Sequence, residues 1–262
     1  MSKPTLTLYT AATPNGYKVS TLLEELKLAY PDSGLSYDLK ELSFQRNEQK
    51  EPSYLKINPN GRIPAIVHHR PDGSDFAVFE SAAIFLYLVQ RFDPDYKLHW
   101  PAGSDEESEA LQWIFFVHGG VGPMQGQANH FHRYAPERIP YATQRYISET
   151  KRLYSVLESR LEQGRDYLVG SGRGKLSIAD LNAWPWVRRW DWSGVEDLDA
   201  FPKLAAWLDR IAASPGVQIG LTKPAGRQAK LSPEEADKVA AEARSWIVKE
   251  TPGNDAQGNK VE

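Results

Sequence analysis

The apolar periodicity of the chain changes character once, near residue 93, and that change limits the fold more than any other feature. Before it, short alternating runs interleave with helical ones; after it, strand patterning nearly vanishes. Thr5–Tyr9 alternates as a strand does. Val19, Leu22, Leu23 and Leu26 recur at i, i+3, i+4 and i+7, which predicts a helix over Asn15–Lys27. Gly34 ends it, and Ser36–Leu42 reads as a second strand. A short helix, Pro52–Ile57, runs into the turn cluster Asn58-Pro59-Asn60-Gly61. Pro64–Val67 and Phe76–Phe79 then form a hairpin about Pro71-Asp72-Gly73, and Glu80–Phe92 is helical. This order describes a small α/β layer of about ninety residues.

The second half reads as all-helical. Residues 105–133 and 137–163 carry long helical patterns, the latter with Thr150, Leu153, Tyr154, Leu157 and Leu161 on one face. Ser177-Ile178-Ala179-Asp180 has the form of an N-cap with an acidic N3 residue, opening a Trp-rich helix to about Trp190, and Pro202–Ala213 is a further helix. Ser232-Pro233-Glu234-Glu235 is a capping box with Pro at N1, leading an Ala-rich helix to about Lys249 that is expected to pack on its own domain. The Gly/Asn/Asp/Gln-rich stretch Thr251–Glu262 reads as disordered. The expected organisation is α/β plus all-α: a first domain over 1–93, a linker over 94–104, an all-helical domain over 105–231, and a C-terminal helix and tail over 232–262.

Several function classes fall away on composition. The 262 residues include no cysteine, which excludes disulfides, thiolate zinc sites, iron–sulfur clusters and a cysteine nucleophile. A net charge of −3 gives the chain as a whole no basic footprint for nucleic acid. The longest apolar run, about Trp113–Val117, is far short of a membrane span, and Met1-Ser2-Lys3-Pro4 runs into the first strand without the apolar stretch of a signal peptide. A cytoplasmic protein with no membrane or nucleic-acid partner is expected. His130 and His132 do not share a helix face, so no metal site is expected with His118. Gly170–Lys175 lacks the strand-to-helix context of a phosphate loop. Trp184, Trp186, Trp190 and Trp192 read as packing residues.

Three short motifs can carry chemistry, and each has two readings. Thr13-Pro14-Asn15-Gly16 lies between the first strand and first helix, where it either caps the helix or directs donors at a bound anion. Arg62-Ile63-Pro64-Ala65 leads a strand. A trans Pro64 merely starts it, whereas a cis bond leaves the Ile63 backbone open to an extended peptide. Glu80-Ser81 opens the third helix, either as cap and first-turn acid or as a pair gripping the ammonium and carboxylate of an amino-acid head group.

Taken together, these motifs resemble the cytosolic glutathione transferase superfamily, most closely its bacterial nu-class glutathione-dependent disulfide-bond oxidoreductases and the fungal nitrogen-catabolite-regulator group. The resemblance spans roughly residues 5–225 and also rests on Asn58–Ile66, Gly122-Pro123-Met124-Gln125-Gly126-Gln127 and Ser177–Asp180. It implies a thioredoxin-like first domain, a helical-bundle second domain, glutathione as co-substrate, a small electrophile or disulfide as second substrate, and a homodimer. By the same resemblance Asn15, with Thr13 beside it, approaches the glutathione sulfur. Gln49, Arg62 and the Ile63 backbone hold the glycyl and cysteinyl parts, Glu80 and Ser81 hold the γ-glutamyl end, and Arg145 contacts glutathione from the long helix. Two departures bear on mechanism: Ala12 stands where many classes place a catalytic Ser, and Asn15 where glutaredoxin-like members carry Cys. Tyr9, where other classes use a Tyr, reads as a packed aromatic. His118, His130 and His132, with Phe116, Met124, Phe131 and Tyr134, are expected to line a cleft for the second substrate. Lowering a thiol pKa of about 8.5 by about 2 units takes roughly 2.7 kcal/mol of thiolate stabilisation. An Asn15 N–H, the Thr13 hydroxyl and the helix N-terminus are suited to supply it. The competing reading is a non-catalytic binding or regulatory protein on the same fold.

Overall fold

Four short strands make one mixed sheet in the order β2-β1-β3-β4. The computed structural model describes residues 4–226 and 231–248; the stretch Thr251–Glu262, expected to be disordered, lies outside the described residues. β1 (Leu6–Thr10) pairs in parallel with β2 (Tyr37–Glu41), and α1 (Pro14–Ala29) supplies the crossover that a parallel pair requires. α2 (Pro52–Leu55) follows. β3 (Ala65–His69) runs antiparallel to both β1 and β4 (Asp75–Phe79), and α3 (Ser81–Phe92) completes a thioredoxin-like domain.

The apolar stripe of α1 marks one buried face, yet every residue from Gly16 to Leu26 is buried. The reason is a second partner. Its stripe packs on the sheet, while its polar face is covered by the helical domain, which hydrogen-bonds to it. Ser20 Oγ donates to the Gly220 carbonyl at 2.8 Å, and Glu25 Oε1 accepts from the Val217 amide at 3.0 Å. Burial holds the Glu25 pKa above the ordinary carboxylate range. The helix that does this, Pro215–Gly220, was not anticipated; at 6 residues it is too short to show periodicity. Its glycines are required by distance: a Cβ on Gly220 would lie 2.5 Å from the Thr21 Cα.

The helical domain begins with α4 (Asp105–Phe116) and α5 (Gly122–Asn129). In place of one regular helix over 105–133, π turns at Val117–Val121 and His130–Tyr134 flank α5. Each inserts a wide turn, which rotates the following residues and is hidden from a 3.6-residue pattern. α6 (Pro140–Leu161) buries the expected face of Thr150, Leu153, Tyr154, Leu157 and Leu161. α7 (Ile178–Val187) starts at the Ser177/Asp180 capping box. Asp180 is wholly buried and also accepts from the Leu168 amide and the Trp207 indole, each at 3.0 Å; burial raises its pKa to about 6. α7 ends at Val187, short of Trp190, and α8 (Pro202–Ala212), α9 (Pro215–Gly220) and α10 (Pro233–Ile247) follow. Among the described residues no helix is long and apolar enough to cross a membrane.

Candidate active site

Where α1 and α3 begin, the two domains enclose a pair of adjoining cavities of about 310 and 680 Å³, within the range of small-molecule sites. Asn15, Arg62, Ile63 and Trp186 line both. The smaller adds Lys18, Glu80, Ser81 and His118; the larger adds Thr13, Gln49, Phe44, Phe131, Tyr134 and Trp246. Of the residues expected at the site, Arg145 lines neither. It sits on α6, its side chain 59% exposed, 3.9 Å from Glu149.

The loop before α1 is built by its cap. Thr13 Oγ1 accepts from the Gly16 amide at 3.1 Å, and Pro14 sits in the first turn where its missing N–H costs nothing. The Thr13 hydroxyl hydrogen is not used in that bond, so capping and donation to an anion are compatible. Thr13→Ala is expected to cost about 1 kcal/mol of stability and to lower activity as well, whereas Thr13→Ser keeps both. Chemical denaturation read beside turnover separates the two effects. Asn15 Oδ1 accepts from the Trp186 indole N–H at 2.9 Å, and its Nδ2 makes no hydrogen bond to a described residue.

The Ile63–Pro64 peptide bond is cis. Tyr54 Oη and Asn58 Nδ2 donate to the Arg62 carbonyl at 2.7 and 2.6 Å, which ties the loop down from below. The sheet ladder starts at Ala65, paired with Tyr9 and Phe79, so Ile63 meets the cavity from outside the sheet. Gln49 is buried, its Nε2 donating to Asn47 Oδ1 at 2.9 Å. Glu80 holds φ at +68°, a left-handed conformation that costs a non-glycine residue about 1–3 kcal/mol and gathers at functional sites. Its side chain makes no cap hydrogen bond, so the capping reading fails for the carboxylate. Ser81, buried, is the first residue of α3, where backbone N–H groups are free of helical partners.

Four features go beyond what the local sequence predicts, one of them the charge state of His118, which is expected in the cleft. Lys18, one turn beyond Asn15, is only 1% exposed and its ammonium makes no hydrogen bond to a described residue; burial lowers its pKa to about 7 against the pull of Glu80. His118 donates through Nε2 to Asn182 Oδ1 at 3.1 Å, and burial lowers its pKa to about 4, so it is neutral at pH 7. Trp186, read as a packing residue, reaches Asn15 in the loop before α1, while Trp184 is buried as expected with its indole on the Leu208 carbonyl at 3.0 Å. Finally α10 forms cleft wall as well as packing: Trp246 meets Phe44 with ring centroids 4.7 Å apart. The expected cleft residues divide. His130, Phe131 and Tyr134 line the larger cavity and His118 the smaller. Phe116 and Met124 pack against the core instead, and His132 lies against Gly194. Tyr9 packs on Tyr54 at 5.7 Å and lines neither cavity. Among the described residues no His/Cys/Asp/Glu group could hold a metal ion.

The polar inventory fits an extended zwitterionic peptide with a thiol. A helix start with Ser81 and a buried ammonium suit carboxylates, Glu80 suits an ammonium, and the Asn15 amide N–H suits a thiolate. Comparison with known proteins agrees. The sequence profile for the glutathione S-transferase N-terminal domain matches residues 4–90, and that for the glutathione S-transferase C-terminal domain matches residues 140–210. The chain is 40% identical over 232 residues to the disulfide-bond oxidoreductase YfcG of Escherichia coli, covering 88% of this chain and 98% of that protein. It is 39% identical to the glutathione S-transferase-like protein tpcF of Aspergillus fumigatus, over 82% of this chain and 94% of the other. Among solved structures, a glutathione transferase homologue from Lodderomyces elongisporus with two GSH per subunit superposes with a TM-score of 0.76 at 38% identity, covering 85% of this chain and 100% of that one. The glutathione transferase URE2P6 from Phanerochaete chrysosporium, in complex with oxidized glutathione, gives 0.75 at 38% identity, over 90% and 98%.

Proposed function

The chain belongs to the glutathione transferase family, and from that premise we propose that it is a glutathione-dependent enzyme of the asparagine type. It acts in disulfide-bond reduction, in conjugation, or in both. The observation that carries this reading is the Asn15 amide, half-buried at the start of α1 in the cavity between the domains, with a donor that no described residue engages. Bound glutathione supplies the thiol, which as thiolate either displaces a leaving group such as halide from an electrophilic carbon, forming a thioether, or attacks a disulfide sulfur and releases the other sulfur as thiolate. In the second case a second glutathione then attacks the mixed disulfide, giving glutathione disulfide and the second free thiol. Asn15 Nδ2, the Thr13 hydroxyl and the α1 N-terminus hold the negative charge on that sulfur. Ser81 takes the γ-glutamyl carboxylate and Glu80 its ammonium, and the Ile63 backbone with Gln49 and Arg62 holds the remainder of the tripeptide. Arg145, remote from the cavity of its own chain, is assigned to the neighbouring subunit of a homodimer. The protein is assigned to the cytoplasm.

The chain has no cysteine, so every sulfur that reacts belongs to a ligand or to nothing at all; the two methionines are thioethers. The test is glutathione-dependent turnover of a small mixed disulfide and of an aromatic halide. Turnover of either supports an enzyme. Glutathione binding with no turnover of either overturns the catalytic reading in favour of a binding protein.

A further inference from the structure

Trp186 approaches the catalytic loop from the opposite domain. An indole N–H only donates, so the end of the Asn15 amide that faces it at 2.9 Å is the carbonyl oxygen. The amide is planar, with its nitrogen on the side away from that oxygen. Turned over, it would set N–H against N–H in a half-buried cleft and leave both donors without an acceptor. The side chain of Asn15 is therefore held in one of its two orientations by a residue of the helical domain.

The indole is in turn seated on α5. Gly122 and Gly126 are one helical turn apart on α5, and a Cβ on them would lie 3.4 and 3.6 Å from the Trp186 ring, so the bare helix surface is where the ring rests. Between them Gln125, fully buried, donates through Nε2 to the Trp186 carbonyl at 2.7 Å and accepts from Tyr154 Oη at 2.9 Å. The Gly122–Gln127 motif thus seats a single indole ring against the loop.

We propose that Trp186 is a positioning residue for thiol activation: its indole N–H orients the Asn15 amide so that Nδ2–H is the group presented to a thiolate. Activation then depends on the docking of the helical domain on α1. This rests on the reading of Asn15 as thiolate donor, and the test separates the two. Lys18, Arg62, Glu80 and His118, the charged and ionisable groups of the adjoining cavity, are left in place by the substitutions that test it.

In Trp186→Phe the ring remains and the N–H is lost. Titration of bound glutathione by thiolate absorbance near 240 nm is expected to give a thiol pKa about one unit higher than in the parent, with turnover at pH 7 about threefold lower. Affinity for S-methylglutathione, which has no thiol, stays within about twofold of the parent, a split that a merely structural defect does not produce. In the Asn15→Ala background the same substitution adds no further rise, since there is no amide left to orient. If Asn15→Ala raises the thiol pKa and Trp186→Phe does not, the proposal for Trp186 is overturned and the role of Asn15 stands. If neither moves it, the donor reading of Asn15 is wrong as well. Should Trp186→Phe fail to fold, benzothienylalanine at position 186 replaces N–H by sulfur at nearly constant shape, with the same expected and contrary results.

Discussion

Asn15→Ala is expected to lower glutathione-dependent turnover at pH 7 by about tenfold, since losing one of three groups that share a thiol pKa depression of about 2 units moves the bound thiol from mostly ionised to mostly protonated at that pH. The loss belongs to the thiolate, so the pH–rate profile should shift to higher pH and part of the rate should return once the free thiol range of about 8.5 is passed. Thr13 and the α1 N-terminus remain in the variant, which is why the loss stops short of complete. Binding of S-methylglutathione should change little. Steady-state kinetics between pH 6 and 9 provide the check, and a variant with parental turnover across that range removes Asn15 from the mechanism. Stability should fall modestly, because the Trp186 indole N–H loses its acceptor while the Thr13 cap on the Gly16 amide is left in place.

Lys18→Met is expected to act in opposite directions on stability and on binding. An ammonium buried without a hydrogen-bonding partner among the described residues has its pKa lowered from 10.5 to about 7, chiefly by desolvation. Between pH 7 and 10.5 the unfolded chain therefore holds a proton that the folded chain releases. Stability accordingly rises with pH through that window, and the full cost is present below it. The cost at low pH is of order 4 kcal/mol. Removing the amine should stabilise the ligand-free protein below about pH 7 and flatten the pH dependence above it, which urea denaturation at several pH values would read.

Binding runs the other way. Glu80, His118 and Arg62 share the smaller cavity with Lys18, and only Glu80 is an acid among them. Glutathione brings two carboxylates and one ammonium, so binding adds net negative charge beside Lys18 and raises its pKa. Calorimetry with S-methylglutathione, which has no thiol to ionise, in buffers of differing ionisation enthalpy should show proton uptake on binding between pH 7 and 9, and Lys18→Met should abolish it and weaken binding at least about tenfold. Proton uptake that persists in the variant would assign the titration to another group.

Much of the fold is written locally. The Thr13, Ser177 and Ser232 caps, the hairpin about Pro71-Asp72-Gly73 and the buried face of α6 each follow from a few neighbouring residues and appear where their chemistry puts them. The elements that went unread involve two partners at once or a break in phase. α9 is recognisable only as the helix whose Gly216 and Gly220 let it lie against Glu25 and Thr21. The π turns flanking α5 leave no compositional mark, yet they shift the helical phase of the residues after them, among them His130 and Phe131, which line the cleft, and Met124, which does not.

The candidate site divides in the same way. Asn15, Thr13, Glu80, Ser81, Ile63, Arg62 and Gln49 lie in loops and helix starts whose motifs are continuous in sequence, and the structure brings them to adjoining cavities. Lys18 falls on the helical face that a stripe of Val19, Leu22, Leu23 and Leu26 assigns to solvent, and it is buried because a second domain lies there. Trp186 is 171 positions from the Asn15 oxygen it holds. The sequence by itself determined where helices and strands begin, which residue types the loop before α1 presents, and that no reacting sulfur can be the protein's own. Tertiary structure alone decided the charge state of Lys18 and His118 and the orientation of the Asn15 amide. Desolvation and hydrogen-bond direction depend on what lies across a cavity, and that is set by docking two domains rather than by any neighbour along the chain.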